Sequence, residues 1–160
     1  GSMLSLSVSP YFIPAITFVL AALVSFATGS SWGTMAILYP LLLPSSWIIS
    51  SDYGMAEPEA LSIFYNVVSG VLAGSVLGDH CSPISDTTIL SSLASSCNHI
   101  EHVRTQLPYA LTVGAVAIGV GTIPAAYGIS SYILIPAGII ILYLVVLLLG
   151  RKTNKEPQPG

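Results

Sequence analysis

The sequence predicts an all-α integral membrane protein of about four spans, two of them discontinuous helices. Three observations carry this. Hydrophobic side chains make up 53% of the 160 residues and charged ones 7%, whereas a soluble domain carries about 25% charged residues. Apolar runs near the length of a membrane span recur along the chain. Two of them are interrupted by clusters of Gly, Ser, Thr and Asp instead of being bounded by charged loops. So few charges cannot cover a soluble core of this size, and helices apolar on every side belong inside a large protein or in lipid.

Composition and motifs also exclude several function classes. The net charge of −3 is small and diffuse, and without a basic stripe nucleic acid is not a partner. No Gly-rich phosphate loop with its Lys occurs, which argues against a nucleotide-driven pump. Cys81 and Cys97 match neither a zinc pattern nor a redox pair by spacing and read as small apolar filler. His80, His99 and His102 form no spaced ligand set, so a metal enzyme is disfavoured. The expectation is a protein that is not an enzyme and has no cofactor.

Taken in order, residues 1–10 form a tail in which Gly1-Ser2 ahead of Met3 reads as a cloning scar. No basic segment precedes the first apolar run, so a cleaved signal peptide is not expected. Apolar runs then fall at 11–27, 32–49, 61–77, 88–94, 109–127 and 132–149. A full span needs about 20 residues. The last two runs qualify, and their short connection near 128–131 predicts an antiparallel hairpin. The first two are parted by Thr28-Gly29-Ser30-Ser31, and the third and fourth by the stretch from Gly78 to Ser85. Pro40 and Pro44 further weaken the second run, since each lacks a donor and clashes with the preceding turn.

Each interrupted pair reads as helix, polar break, helix. Broken backbone at membrane depth survives only beside protein or a water-filled cavity, and secondary transporters hold ions between half-helices of this kind. Broken spans and re-entrant hairpins both satisfy the pattern. Residues 11–149 therefore read as one transmembrane transporter domain, and the polar, Pro-bearing stretch 150–160 as a disordered tail. Four spans are too few for a self-contained inverted-repeat carrier. The expectation is the C-terminal half of something larger, completed by an N-terminal half or a partner chain in the bilayer, with a homodimer also compatible.

Charge placement sets the expected orientation. Arg151, Lys152 and Lys155 follow the last run, Arg104 lies in an expected loop at 98–108, and the stretch 50–60 has Asp52, Glu57 and Glu59 but no Lys or Arg. The positive-inside tendency then puts both termini in the cytoplasm and the acidic loop outside. His99, Glu101, His102 and Arg104 read as a solvated loop. Trp32, Trp47, Tyr109 and Tyr132 read as interfacial anchors, and Asn66, Ser69, Gly70 and Gly74 as close helix packing.

The residues that carry chemistry lie in Gly78-Asp79-His80-Cys81-Ser82-Pro83-Ile84-Ser85-Asp86-Thr87-Thr88. Carboxylates, an imidazole and hydroxyls inside membrane sequence are costly unless they face a cavity, a partner or an ion. With Pro83 ending one segment, Ser85 becomes the N-cap of the next. Asp86 then occupies a first turn, where free N–H groups and the helix dipole favour the carboxylate. Asp79 falls at the end of the preceding segment, where negative charge is disfavoured, as suits a proton carrier. Ser82, Ser85, Thr87 and Thr88 offer oxygens to a hard cation such as Na+. His80 reads equally as a titrating group or a packed one. Thr28, Ser30, Ser31 and Thr34 form a second candidate wall, against the common alternative that such hydroxyls bond back to their own helix.

Three motifs together resemble a known family: Thr28-Gly29-Ser30-Ser31-Trp32-Gly33-Thr34, the stretch from Gly78 to Thr88 continued by Ile89-Leu90, and His102-Val103-Arg104-Thr105-Gln106-Leu107-Pro108-Tyr109. They resemble, in this order, the C-terminal part of the C-type sodium/proton antiporter (NhaC) family. The resemblance implies a multi-pass cell-membrane carrier with broken helices that exchanges Na+ for H+, and it puts Asp79, His80, Ser82, Asp86 and Thr87 at motif positions. The rival readings are Na+- or H+-coupled exchange of an organic anion such as malate or lactate, and a non-transporting membrane subunit. The anion reading lacks any Lys or Arg at the breaks.

Overall fold

A computed structural model describes residues 9–150, in which every regular element is helical. A 3-10 turn (Pro10–Phe12) leads into α1 (Ile13–Thr28), followed by α2 (Ser31–Asp52), α3 (Glu57–Cys81), α4 (Asp86–Ala94) and α5 (His99–Val116). A π-helical segment (Ala117–Thr122) joins α5 to the short α6 (Ile123–Ala126), and α7 (Ser131–Leu149) closes the order. Proline opens several of these elements, at first-turn positions where its missing N–H costs nothing.

Five stretches are long and apolar enough to cross a membrane: Pro10–Thr28, Ser31–Asp52, Glu57–Cys81, His99–Ala126 and Ser131–Leu148. The shortest has 18 residues, or ~27 Å at the helical rise, close to the ~30 Å of a hydrocarbon core. Their directions follow from side-chain contacts. Gly70, Gly74 and Gly78 of α3 meet Pro14, Phe18 and Ala22 of α1 in the same sequence order, so these two helices run parallel. Between them in sequence, α2 returns antiparallel, with the Tyr39 hydroxyl on the Val68 carbonyl and Trp47 edge-on to Phe64. The long α5–α6 unit is antiparallel to α3, since Gly114 lies against Leu77 while Asn66 donates to the Ala125 carbonyl.

The core sits among α1, α2 and α3, with Ile13, Ala21, Met35, Leu38, Ile63, Val67 and Val71 buried together and Ala126 closing one end. Contact along α1 and α3 is so close that a Cβ on Gly74 would lie 2.2 Å from the Phe18 carbonyl oxygen, and one on Gly78 2.1 Å from that of Ala22. Small residues at this spacing let two backbones touch, the usual way membrane helices gain van der Waals contact. By contrast, no residue in the α7 span is buried.

Several expectations are corrected here. The first interrupted run is not one broken span but two span-length helices, α1 and α2, so the chain has five such helices where about four were expected. The physical reason is Gly29, whose left-handed conformation (φ 66°) ends α1 and reverses the chain within two residues. Pro40 and Pro44 do not interrupt α2, which runs through both. Both prolines are exposed, and the Ser45 and Ser46 hydroxyls bond back to the Leu41 and Leu43 carbonyls beside them. The expected loop at 98–108 is helical, because the Asn98 side chain accepts from the N–H groups of Ile100 and Glu101 and caps α5. The second break is also shorter than expected, since α3 stays helical through Gly78 to Cys81.

An odd number of alternating helices separates the two ends of the described chain. Tyr11 stacks on Tyr127 at 4.8 Å and packs with Met55 against the same core, so the N-terminal end shares the acidic-loop end of the bundle. After α6 the chain turns, and α7 runs back along the α5–α6 unit toward the opposite end. The two ends of the described chain therefore lie at opposite ends of the bundle, whereas the four-span count put both termini on one side. Arg151, Lys152 and Lys155, like the tails at 1–8 and 151–160, lie outside the described residues.

Two predictions follow from this packing. In a background without Cys81 and Cys97, Ser9→Cys and Gly54→Cys should react with an impermeant thiol reagent from the same side, and Glu101→Cys from the other. Opposite-side labelling of 9 and 54 would restore the four-span count. Gly74→Ala should destabilise by about 1–3 kcal/mol through overpacking against α1, read as a fall in melting temperature in detergent. Gly119→Ala, whose Cβ would meet nothing within 4 Å, should be neutral or slightly stabilising.

Candidate functional site

The parallel pairing of α1 and α3 brings both breaks to one place. Gly29 approaches Ile84 so closely that a Cβ there would lie 2.9 Å from the Ile84 carbonyl carbon and oxygen. The Ser82 hydroxyl donates to the Phe26 carbonyl at 2.8 Å, tying the end of α3 to the end of α1. Two helix C-termini, those of α1 and α3, and two helix N-termini, those of α2 and α4, therefore converge on one polar junction.

In the first break the hydroxyls serve the helix ends. Ser30 is the N-cap of α2 and accepts from the Gly33 N–H at 3.1 Å. Thr34, fully buried, donates to the Ser30 carbonyl at 2.9 Å and meets the Thr28 hydroxyl at 3.2 Å. Ser31 opens α2 and is half-buried. Thr28, Ser30 and Thr34 are thus joined into one small network that closes the hairpin.

The second break places its residues less uniformly. Asp79 lies in the last turn of α3, half-buried, with its Oδ1 buried and without a hydrogen-bond partner. Asp86 is exposed in the first turn of α4 and its Oδ1 accepts from the Thr87 N–H at 2.7 Å. Ser85 does occupy the N-cap position, but its hydroxyl pairs with that of Thr87 at 2.8 Å and does not cap the helix. Thr88, buried, reaches back to the His80 carbonyl at 3.4 Å. His80 is exposed beside Gln106 of α5, whose amide nitrogen contacts its ring and donates to its carbonyl at 3.2 Å. His80, Thr87, Thr88, Ser91, His102 and Gln106 line a cleft of about 70 Å³.

Ser92, His99 and His102 belong to this junction although the sequence put the two histidines in a solvated loop. The Ser92 hydroxyl lies 3.1 Å from His99 Nδ1 and 2.8 Å from His102 Nδ1. His99 Nε2, 2.6 Å from the Pro83 carbonyl oxygen, donates to it and so holds the backbone of the break. Glu101 and Arg104 do face solvent, paired one turn apart at 3.8 Å. The signal was present: with Asn98 read as a cap, 99, 102 and 106 fall on one helix face at i, i+3, i+7. Ser75, one turn before Asp79, was also missed; it is fully buried and its hydroxyl has no partner.

A family model described as the Na+/H+ antiporter family matches residues 1–123. An uncharacterised protein of Haemophilus influenzae is 41% identical over 91% of this chain and 27% of its own length. An arginine/ornithine antiporter of Halobacterium salinarum is 35% identical over 68% of the chain and 21% of its own. A malate-2H(+)/Na(+)-lactate antiporter of Bacillus subtilis is 33% identical over 57% and 17% respectively. The chain thus spans about a quarter or less of the length of these relatives. No solved structure matches it.

The bond from His99 to Pro83 predicts a local effect. His99→Ala should leave the Pro83 carbonyl without its donor and cost about 1–3 kcal/mol. Hydrogen exchange should then quicken across 82–95 while α1 and the first turns of α3 stay protected.

Proposed function

We propose that this chain, which belongs to the Na+/H+ antiporter family, forms part of a secondary carrier that exchanges Na+ for H+ across the cell membrane and handles the cation where its two breaks meet. The observation that carries this reading is the convergence of four helix ends on one polar junction, with Asp79 ending α3 and Asp86 starting α4. A carboxylate in a first turn is favoured as the anion, and one at a helix C-terminus is disfavoured. The pair therefore suits an exchange in which an arriving cation displaces a proton. Ser82, Ser85, Thr87, Thr88 and the carbonyls of the break supply the oxygen ligands a hard cation prefers. Thr28, Ser30, Ser31 and Thr34 act as scaffold on the other side. The Arg104 end faces the cytoplasm by the positive-inside tendency, and the remaining length of the carrier completes the pathway.

One observation favours a second reading, exchange of an organic substrate coupled to Na+ or H+. Two of the relatives are named for organic substrates, and the N-termini of α2 and α4 at the junction can hold a carboxylate.

The test is Na+-dependent ΔpH in everted vesicles carrying the complete carrier. Asp86→Asn should lower the Na+-dependent rate roughly a hundredfold, the scale for losing one member of a close charge pair. Asp79→Asn should leave only weakened Na+ binding and uncouple it from pH. Unchanged exchange and pH profile in both variants would make the two carboxylates structural. Movement of labelled malate or ornithine without any Na+-dependent ΔpH would replace the first reading with the second.

A further inference from the structure

Hydroxyls buried in these helices have an ordinary way of being satisfied, which is to bond back to a carbonyl three or four residues earlier. Thr17 does so to Pro14, Ser46 to Leu43, Ser50 to Ser46 and Ser92 to Thr88. Ser75 does not. Its side chain is fully buried, yet its Oγ has no hydrogen-bond partner. Its carbonyl is occupied, receiving the Ser25 hydroxyl at 2.6 Å, so the neighbourhood is closely packed and the free oxygen is not a consequence of looseness. One turn further along α3, Asp79 Oδ1 is the second buried oxygen without a partner. Residues four apart share a helix face, so both unpartnered oxygens stand on one side of α3.

A buried polar atom left unpaired calls for a ligand, a water or an ion. A carboxylate oxygen asks specifically for positive charge, and no Lys or Arg among the described residues pairs with it. Arg104 is the single Lys or Arg among the described residues, and it is exposed and paired with Glu101. We propose that Ser75 Oγ and Asp79 Oδ1 together form a binding position for a dehydrated monovalent cation of the Na+ class, one helical turn deeper than the break. The assignment rests on the exchange reading above and extends its site along α3 to a residue outside the Gly78 to Thr88 motif. Both atoms are hard oxygen donors of the kind such a cation takes. The cation enters at the junction, where Asp86 is exposed, and is held at the Ser75–Asp79 level.

The experiment measures radioactive Na+ uptake against Na+ concentration by the complete carrier in proteoliposomes. Ser75→Ala should raise the half-saturating Na+ concentration roughly tenfold or more, the scale of one contact to a charged group, with the maximal rate near that of the unaltered carrier and the Li+/Na+ preference changed. Ser25→Ala removes an equally buried hydroxyl that does have a partner, and it should leave both half-saturation and preference unchanged. Should Ser75→Ala fold poorly, Ser75→Cys keeps the side chain's shape and swaps a hard oxygen for a soft sulfur, and the same loss of Na+ affinity is expected. Unaltered half-saturation and preference in both Ser75 variants, with Na+-dependent exchange intact, would overturn this assignment alone. If the unaltered carrier shows no Na+ dependence, the exchange reading falls and the assignment with it.

Discussion

Everything at the functional end of this protein depends on the backbone contact between two parallel helices. Gly70, Gly74 and Gly78 let α3 lie directly on the Pro14, Phe18 and Ala22 carbonyls of α1. Parallel helices in close contact finish at the same level, and that alignment is what puts Ser82 on the Phe26 carbonyl and Ile84 against Gly29. Antiparallel packing would send the ends of α1 and α3 to opposite ends of the bundle, and the two polar breaks would never meet. The contact leaves no room for a side chain at the three glycines, and Ser25, Ser75 and Ser82 lie fully buried near it.

Once the breaks meet, hydrogen-bond accounting separates their roles. An unpaired buried polar group in an apolar protein costs more than a made bond returns. The first break meets this constraint internally, through Ser30 to Gly33 and Thr34 to Ser30. The second is held from three sides, by Ser82 on α1, by Thr88 on the His80 carbonyl and by His99 on the Pro83 carbonyl. What stays unsatisfied is concentrated on α3, at Ser75 and Asp79, with the Gln106 carbonyl oxygen on α5 as the third such atom. The junction is therefore a hydrogen-bonded frame around a small number of unpartnered oxygens among the described residues.

How much of this could be read from the sequence depended on whether the signal was local. The membrane class and the α5–α7 hairpin follow from run lengths and a Gly-bearing turn, and the helix end at Thr28 from residues within a few positions. Asp79 at a helix end and Asp86 in a first turn were legible for the same reason. The direction of α2 was not, because Thr28-Gly29-Ser30-Ser31 is compatible with a kink or a reversal, and only the left-handed Gly29 distinguishes them. Pro40 and Pro44 misled because propensity penalises them, whereas membrane helices recover such losses with neighbouring hydroxyls. The histidines of α5 were assigned to solvent because charged Glu101 and Arg104 stand among them. The helical face that separates 99 and 102 from 101 and 104 appears only once Asn98 is recognised as a cap. Ser75 carries no sequence signal of its own beyond standing four residues before an aspartate.

The exposed surface divides into two chemically different parts, and the difference limits what can cover each. Along α7 the outward side chains are apolar, including Ile133, Ile135, Ile139, Ile140, Tyr143 and Leu144, and hydrocarbon chains satisfy such a face without cost. Around the junction His80, Asp86, Thr87 and Ser91 are exposed, and hydrocarbon cannot satisfy an ionised carboxylate or free hydroxyls. That side must therefore meet water or polar protein. Lipid or an apolar helix can cover the α7 side, whereas only water or polar structure can cover the junction. The tightest packing lies between α1 and α3, where three glycines let the backbones touch, and the loosest is in α7, whose span buries no residue.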